Sequence, residues 1–202
     1  MKSLLKLTLA FAIMATMAIG AGVTALPQDG ADKDTPQHEW TYGPAEQLSQ
    51  LAFLVGKWDV AVEFKNEHQP EQHYKAQSHV TELLDGVAFQ ENLTIKIEGN
   101  VMSMLTVFAY DRQRDVFRVT RLESINGSLN VMEGNFNEYG KLVLTDENNG
   151  TAMKDFQTGA NRFTRLTLNK LSESKFEIAW EMSKDDGKTW QGIGQMTYTR
   201  AA

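Results

Sequence analysis

The chain is 202 residues long, carries a formal net charge of −6 and contains no cysteine. This length predicts one domain of ordinary size, and the absence of cysteine excludes a disulfide-stapled scaffold, so the fold has to rely on its hydrophobic core. Nucleic acids and anionic membrane surfaces both require a positive patch on a partner. An acidic chain without a Lys/Arg cluster therefore disfavours both.

The N-terminal segment has the three parts of a secretory signal peptide. Lys2 and Lys6 form a basic start, residues 7–19 are predominantly apolar, and residues 23–25 (Val-Thr-Ala) offer small side chains to a signal peptidase. We therefore predict a signal peptide over residues 1–25 and a periplasmic or secreted protein that has no membrane contact after cleavage. The alternative is an uncleaved anchor over residues 7–26, because about 20 apolar residues can span a bilayer.

A polar leader and a short helix come next in the chain. Residues 26–43 contain too little apolar surface to offset the entropy of ordering them, which predicts a flexible leader. Pro44 suits a first helical position, and Leu48, Leu51 and Leu54 recur every three residues. The pattern predicts a short helix whose apolar stripe packs against one end of the domain over residues 44–202.

From Gly56 onward the apolar period changes to two, as in β-strands. Trp58, Val60, Val62 and Phe64 share one face of the first strand. Similar runs follow at about 73–84, 87–97, 101–110, 115–125, 128–136, 141–146, 161–169, 175–183 and 190–200, which makes ten candidate strands. Turn sequences such as Asp85-Gly86 join them as hairpins. An antiparallel set of this kind forms a closed barrel or a sandwich, and closure is the solution that removes exposed edges.

Several short motifs connect this pattern to known families. Gly56-Lys57-Trp58 after an apolar helix, with an Arg in the last strand, resembles the calycin superfamily, which includes lipocalins and fatty-acid-binding proteins. The motifs Leu51-x-x-Leu54-x-Gly56-x-Trp58, Leu84-Asp85-Gly86, Tyr110-Asp111, Glu133-Gly134, Asp186-Gly187 and Tyr198-x-Arg200 together resemble a bacterial family of exported domains of unknown function with a lipocalin-like fold.

The resemblance implies a fold but no established reaction. The expected fold is all-β, an antiparallel up-and-down barrel of about ten strands with a short N-terminal helix closing one end. In calycin barrels the Trp of the first strand packs beneath a basic residue of the last strand, which implies a structural clamp between Trp58 and Arg200. Direct contact of these two side chains with a ligand is the alternative.

Alternation also selects the side chains that should line the lumen. The candidate ligand-binding residues are Phe89, Glu91, Leu93, Phe117, Arg121, Ile178, Trp180 and Met182. Charge inside a barrel is costly unless it is paired or meets a ligand. Glu91 and Arg121 therefore form an internal ion pair, or Arg121 receives an anionic group such as a carboxylate, unless the strand register is wrong. Trp180 either fills the core or contacts a ligand.

Evidence for catalysis or for a metal is weak in this sequence. His79 could act as a general base if it faced inward near Glu91, but a solvent-facing histidine is the simpler expectation. A loop with Glu67, His68, Glu71 and His73 could hold a divalent ion, but such loops are usually just solvated. Met102 and Met104 could bind copper, but methionine is more often a filler of irregular cores. We predict no metal and no cofactor, and leave the catalytic residues unassigned.

Three functions are consistent with these observations. The first is the binding of a small, partly apolar and possibly anionic molecule in the lumen of an exported barrel. The second is an enzyme that uses acid and base residues in the lumen, which requires Glu91, His79 and Arg121 to converge. The third is an envelope scaffold with a filled barrel that binds a protein partner, which predicts an exposed apolar patch. The sequence favours the first.

Overall fold

The structure is a computed structural model that describes residues 43–66, 69–97, 99–125, 127–155 and 158–202. The predicted signal peptide, and the predicted leader up to residue 42, lie outside these residues. A 3-10 helix (Glu46–Leu54) is followed by strands β1 (Gly56–Asn66), β2 (Gln69–Leu83), β3 (Ala88–Ile97), β4 (Asn100–Asp111), β5 (Val116–Glu123), β6 (Leu129–Phe136), β7 (Leu142–Thr145), β8 (Met153–Lys154), β9 (Asn161–Ser172), β10 (Lys175–Ser183) and β11 (Gln191–Arg200). Within the described residues, no helix is long and apolar enough to cross a bilayer.

In the described part of the chain, ten of the strands close into an antiparallel barrel. Strands β1 to β7 are neighbours in chain order, β9, β10 and β11 follow, and β11 pairs with β1 so that Arg200 lies opposite Trp58. The predicted ten-stranded closed barrel is therefore confirmed. Strand β8 is an addition that pairs only with β9, where Met153 lies opposite Arg162. Two residues are too few to show a period of two, so the sequence pattern did not reveal it.

The predicted N-terminal helix is present and has the 3-10 form. Leu48, Leu51 and Leu54 are 1%, 0% and 1% exposed. Because a 3-10 helix has about 3.0 residues per turn, a spacing of three places these leucines in one row against the barrel. The Trp58 indole N–H donates to the Leu54 carbonyl oxygen over 2.8 Å. This bond ties the end of the helix to the first strand.

Arg200 completes this closed end of the barrel. Its guanidinium carbon lies 4.2 Å from the centre of the Trp58 ring, and its terminal nitrogens donate to the carbonyl oxygens of Val55 and Phe53 over 3.0 and 2.9 Å. Gly56 has a φ of +136°, and a Cβ atom there would collide with the Arg200 guanidinium. The contact implied by the resemblance is thus in place, next to a glycine that leaves room for it.

Side chains alternate between the interior and the surface around the whole barrel. Members of the buried set come from every large strand and include Val60, Val80, Leu93, Phe108, Val119, Met132, Leu144, Leu168, Ile178 and Met196. At the end away from the helix lie the connections β1–β2, β3–β4, β5–β6, β7–β9 and β10–β11. We call this end the mouth.

Candidate ligand-binding site

A cleft of about 300 Å³ opens at the mouth of the barrel. We call it the mouth cleft. Its lining combines apolar and polar side chains: Phe64, Arg121, Glu123, Ser128, Leu129, Asn130, Met132, Thr151, Met153, Thr164, Trp180 and Ile193. A larger depression of about 630 Å³ lies on the outer face of β1, β2, β3 and β11. Its side chains, such as Lys75 and Thr94, are exposed, so the mouth cleft is the better candidate.

At the base of the cleft, Arg121 contributes a cation that has no direct anionic partner among the described residues. Its guanidinium carbon lies 4.2 Å from the centre of the Trp180 ring, and its Nε lies 3.1 Å from Met104 Sδ. The ion pairs between described residues do not include Arg121. Burial lowers the pKa of its guanidinium, and electrostatic interactions with Tyr198, Glu91 and Glu123 oppose this shift. The Nη2 of Arg121 lies 2.6 Å from the same sulfur, and a thioether is a weak acceptor. The half-buried cation is thus held by Met104 and by the face of the Trp180 ring rather than by a carboxylate of the described residues.

Trp180 forms the adjoining wall and is held in one position by its neighbours. It is 6% exposed and stacks on Phe64 with ring centres 5.8 Å apart. Gly194 lies opposite it on β11, where a Cβ atom would be 3.3 Å from the indole and 2.8 Å from the Glu63 carbonyl oxygen. The indole nitrogen is shielded from solvent and has no hydrogen-bond partner among the described residues. Trp180 therefore borders the cleft and carries a shielded donor that is unpaired among the described residues.

Asn130, which lines the same cleft, carries an acceptor that is unpaired among the described residues. Its Nδ2 donates to Asp146 Oδ2 over 2.6 Å and faces the Thr151 carbonyl oxygen at 3.5 Å. Asp146 is completely buried and also accepts the Thr164 backbone N–H over 2.7 Å. Burial raises the pKa of Asp146, and the bonds from Thr164 and Asn130 oppose that rise. The Asn130 oxygen is shielded and lacks a partner in the described structure.

Below the cleft the barrel is filled. The remaining void has a volume of only about 10 Å³, roughly enough for one water molecule, and is bordered by Glu91, Met104, Thr106, Phe108, Arg121, Leu166, Ile178, Trp180, Met196 and Tyr198. Ser78 Oγ donates to the buried Glu91 carboxylate over 2.7 Å. Burial, reinforced by Glu91, raises the pKa of Tyr198 well above its ordinary value. This layer is a packed polar floor beneath the cleft.

The eight predicted lumen residues fall into three groups. Arg121 and Trp180 border both the cleft and the void, whereas Glu91 and Ile178 border the void alone. Phe89, Leu93 and Phe117 are 4%, 1% and 3% exposed and border neither space. Met182 follows an irregularity in the β10–β11 pairing after Trp180, is partly exposed and borders neither space. The direct Glu91–Arg121 ion pair is not among the ion pairs of the described residues.

Sequence reasoning missed most of the residues that line the mouth cleft. Asn130 and Thr164 are polar residues in phase with buried Met132 and Leu166, so alternation could have identified them as facing inward. Thr151 and Met153 lie on the connection between β7 and β9, which carries no period. They are brought to the mouth by contacts such as the bond from the Val131 backbone N–H to Thr151 Oγ1 over 2.9 Å.

The acid–base arrangement that an enzyme would need around His79 is not formed. His79 is exposed on the outer face of β2, opposite Lys57 on β1 and Asn92 on β3. Glu91 points into the barrel and is 4% exposed. Adjacent residues of a strand point to opposite faces, so a residue paired with Asn92 cannot share the interior with Glu91.

The predicted loop cluster of acidic and histidine side chains is only partly described. Glu67 and His68 lie outside the described residues. Glu71 and His73 join Glu63, with one possible ligand atom from each within 4.8 Å of the others. Glu71 also forms ion pairs with Lys65 at 3.8 Å and with His73 at 3.6 Å, and both partners are exposed. These contacts are those of a solvated surface cluster.

The two methionines considered for copper are core residues. Met102 and Met104 are 6% and 4% exposed and belong to the buried cluster of the barrel.

Comparisons with known proteins agree on the fold. A crystal structure of Rv2717c from M. tuberculosis is 13% identical, with a TM-score of 0.60, and the match covers 79% of this chain and 100% of that one. An S-type phycobiliprotein lyase, CPES from Guillardia theta, is 13% identical, with a TM-score of 0.50 and coverage of 79% and 99%. At this identity the likeness shows the fold alone, a lipocalin-like barrel.

No curated protein is similar enough in sequence to be matched to this chain. The family model described as "Protein of unknown function (DUF1579)" matches residues 43–200, which span the 3-10 helix and all the barrel strands. The chain therefore belongs to the DUF1579 family.

Proposed function

We propose that this protein binds a small amphipathic molecule at the mouth of its barrel, with an anionic group of the ligand against Arg121 and its apolar part among Phe64, Met132 and Ile193. The observation that carries the proposal is the partly buried Arg121 guanidinium, which borders a 300 Å³ cleft and is outside the ion pairs of the described residues. A carboxylate or sulfonate would give Arg121 charge-assisted hydrogen bonds, which are stronger than its contacts with the Met104 thioether.

The size of the cleft favours a small ligand. Binding pockets for drug-sized molecules start at about 300 Å³, so the mouth cleft is at the lower limit of that range. The filled floor prevents a long molecule from passing through the barrel. The ligand would thus lie within the mouth, where the exposed side chains of Leu129 and Met153 form part of the rim. One barrel of similar fold is a phycobiliprotein lyase, which supports this proposal only at the level of the fold.

The proposal is tested with 1-anilinonaphthalene-8-sulfonate, a fluorescent probe that combines an apolar ring system with an anion. We expect the wild-type protein to bind it saturably, decanoate to displace it, and neutral decanol to displace it at least about tenfold less well. Arg121→Met keeps an apolar side chain of similar length and should weaken the binding of probe and decanoate about tenfold or more. Circular dichroism and thermal unfolding establish that the variant is folded.

Arg114→Met is the matched control. Arg114 is exposed on the turn between β4 and β5, at the closed end, where it pairs with Asp111 over 2.7 Å. This variant should bind the probe like the wild type. Equal binding by the Arg121 and Arg114 variants, or no saturable binding by the wild type, would refute the proposed function.

A further inference from the structure

The hydrogen bonds around Asn130 fix which way its side-chain amide points. Both groups facing its Nδ2 are acceptors, the Asp146 carboxylate at 2.6 Å and the Thr151 carbonyl oxygen at 3.5 Å. Turning the amide over would place its oxygen against two other oxygens. The Asn130 oxygen therefore faces away from Asp146 as an acceptor, and no group of the described residues donates to it.

Asn130 lines the same cleft as Arg121 and Trp180. Asn130 on β6 is directly opposite Arg121 on β5 in the strand register, and both line the mouth cleft. The third group is the Trp180 indole N–H, which is shielded from solvent and has no hydrogen-bond partner among the described residues. Trp180 as a whole is 6% exposed. The residues that line the cleft thus include two with donors, Arg121 and Trp180, and one with an acceptor of fixed orientation, Asn130.

From this combination, and resting on the proposed function, we infer that the ligand is a hydroxylated carboxylate with an apolar body. Its carboxylate accepts from Arg121 and from the Trp180 indole N–H. Its hydroxyl, close to the carboxylate, donates to the Asn130 side-chain oxygen. Asp146 is a positioning residue, because it acts on the ligand only by holding the Asn130 amide.

The hydroxyl is the part of the ligand that the site selects. A buried acceptor that stays unpaired on binding carries a desolvation cost, so a ligand without the donor binds more weakly. A methyl ether at the same position can accept but cannot donate, and it should be rejected for the same reason. Removing the ligand's hydroxyl, or replacing it with a methyl ether, should each weaken binding about tenfold or more.

Isothermal titration of the full chain with a matched set of acids tests this inference. The probes are decanoate, 2-hydroxydecanoate, 3-hydroxydecanoate and the methyl ethers of the two hydroxy acids. We expect at least one hydroxy acid to bind about tenfold more tightly than both decanoate and its own methyl ether. In a ¹⁵N spectrum, the indole signal that is missing in Trp180→Phe should shift when the acid binds.

Variants then assign the selectivity to Asn130. Asn130→Ala should lose the preference for the hydroxy acid over decanoate and over its methyl ether. Asn135→Ala, on the same strand but exposed, is the matched control and should keep it. Asp146→Asn is the second variant, used if Asn130→Ala does not fold. It should also lose the preference, because the new amide can either accept from or donate to Asn130, so the orientation of the Asn130 amide is no longer fixed. Trp180→Phe should weaken all the acids alike.

The outcomes separate the two proposals. If none of the acids binds, both the inference and the proposed function are wrong. If decanoate binds through Arg121 but the hydroxyl makes no difference, only the inference is overturned, and the unpaired Asn130 oxygen is explained by a structural water. A preference that persists in both Asn130→Ala and Asp146→Asn would also overturn it.

Discussion

Gly56 and Arg200 show how one residue at the closed end depends on another far away in the sequence. The guanidinium of Arg200 occupies the space where a side chain at position 56 would lie, and it donates to the carbonyl oxygens of Val55 and Phe53. The Gly56 backbone has a positive φ that other residues adopt only with strain. Position 56 is therefore restricted both by its own backbone and by Arg200.

A double-mutant cycle separates these two restrictions. Gly56→Ala should lower the free energy of unfolding by about 2 kcal/mol or more in the wild type, through strain and collision together. In an Arg200→Met background, Gly56→Ala should cost about 1 kcal/mol less, because a methionine side chain can adopt another rotamer and leave room for the added Cβ atom. Urea unfolding followed by tryptophan fluorescence measures both values.

Gly140→Ala is the control for this cycle. Gly140 also has a positive φ, of +69°, but nothing lies within 4 Å of a Cβ atom built there. Its cost should be the same in both backgrounds. Equal costs of Gly56→Ala in the two backgrounds would contradict the role of Arg200 at this position.

At the scale of single residues, the sequence predicted which face of a strand a side chain lies on better than how far along the barrel it lies. Alternation correctly directs Glu91, Arg121 and Trp180 inward, because a period of two determines the face of a strand. It does not determine which of them faces a cavity. Phe89 and Glu91 are on the same face of β3, yet only Glu91 borders the void. Depth along the barrel depends on the stagger between strands, which no single strand encodes.

At the scale of elements, the β10–β11 connection is organised by one carboxylate. Asp185 accepts from the Thr189 backbone N–H over 2.9 Å, from Thr189 Oγ1 over 2.7 Å and from Ser183 Oγ over 2.8 Å. These bonds lower the pKa of Asp185 to about 2. The ionised carboxylate therefore holds together a turn at the mouth.

This lowered pKa predicts how stability depends on pH. A carboxyl whose pKa is lower in the folded state contributes stability above its unfolded pKa of about 3.9, and the contribution is lost as the pH falls towards about 2. Wild type should thus be more stable than Asp185→Asn at pH 6, and the difference should shrink as the pH falls below about 4. Urea titrations of both proteins across this range measure the difference.

Asp186→Asn in the same turn is the comparison. Asp186 has a φ of +56°, a conformation that asparagine also tolerates, and its stability difference from wild type should not follow this pH profile. A difference between wild type and Asp185→Asn that stays constant across the pH range would show that the turn does not depend on the Asp185 charge.

The elements themselves were largely predictable because each has a strong local signal. The row of Leu48, Leu51 and Leu54 indicated the helix, and runs of alternating residues between turn sequences indicated all ten barrel strands. Strand β8 and the connection around Thr151 were not predictable. Their positions depend on tertiary contacts with β6 and β9, and they have no periodic pattern of their own.

At the scale of the whole molecule, the barrel has one closed end, a filled middle and one open end. The helix, Trp58 and Arg200 close the first, and large side chains such as Phe108, Ile178 and Met196 leave almost no space in the middle. The prediction of a binding lumen therefore has to be restricted to the mouth, the part of the interior with room for a ligand. The closed barrel could be predicted from the strand count, but the extent of filling could not.

Methyl NMR of the protein's own methionines tests most directly whether a ligand binds at the mouth and not in the filled middle of the barrel. Met132 and Met153 line the mouth cleft, whereas Met196 is 1% exposed and borders only the void in the filled middle. On titration with decanoate, we expect saturable shifts of the Met132 and Met153 methyl signals, an unchanged Met196 signal, and loss of the response in Arg121→Met. Shifts confined to methionines away from the mouth, or no shift at all, would contradict binding at the mouth of a filled barrel.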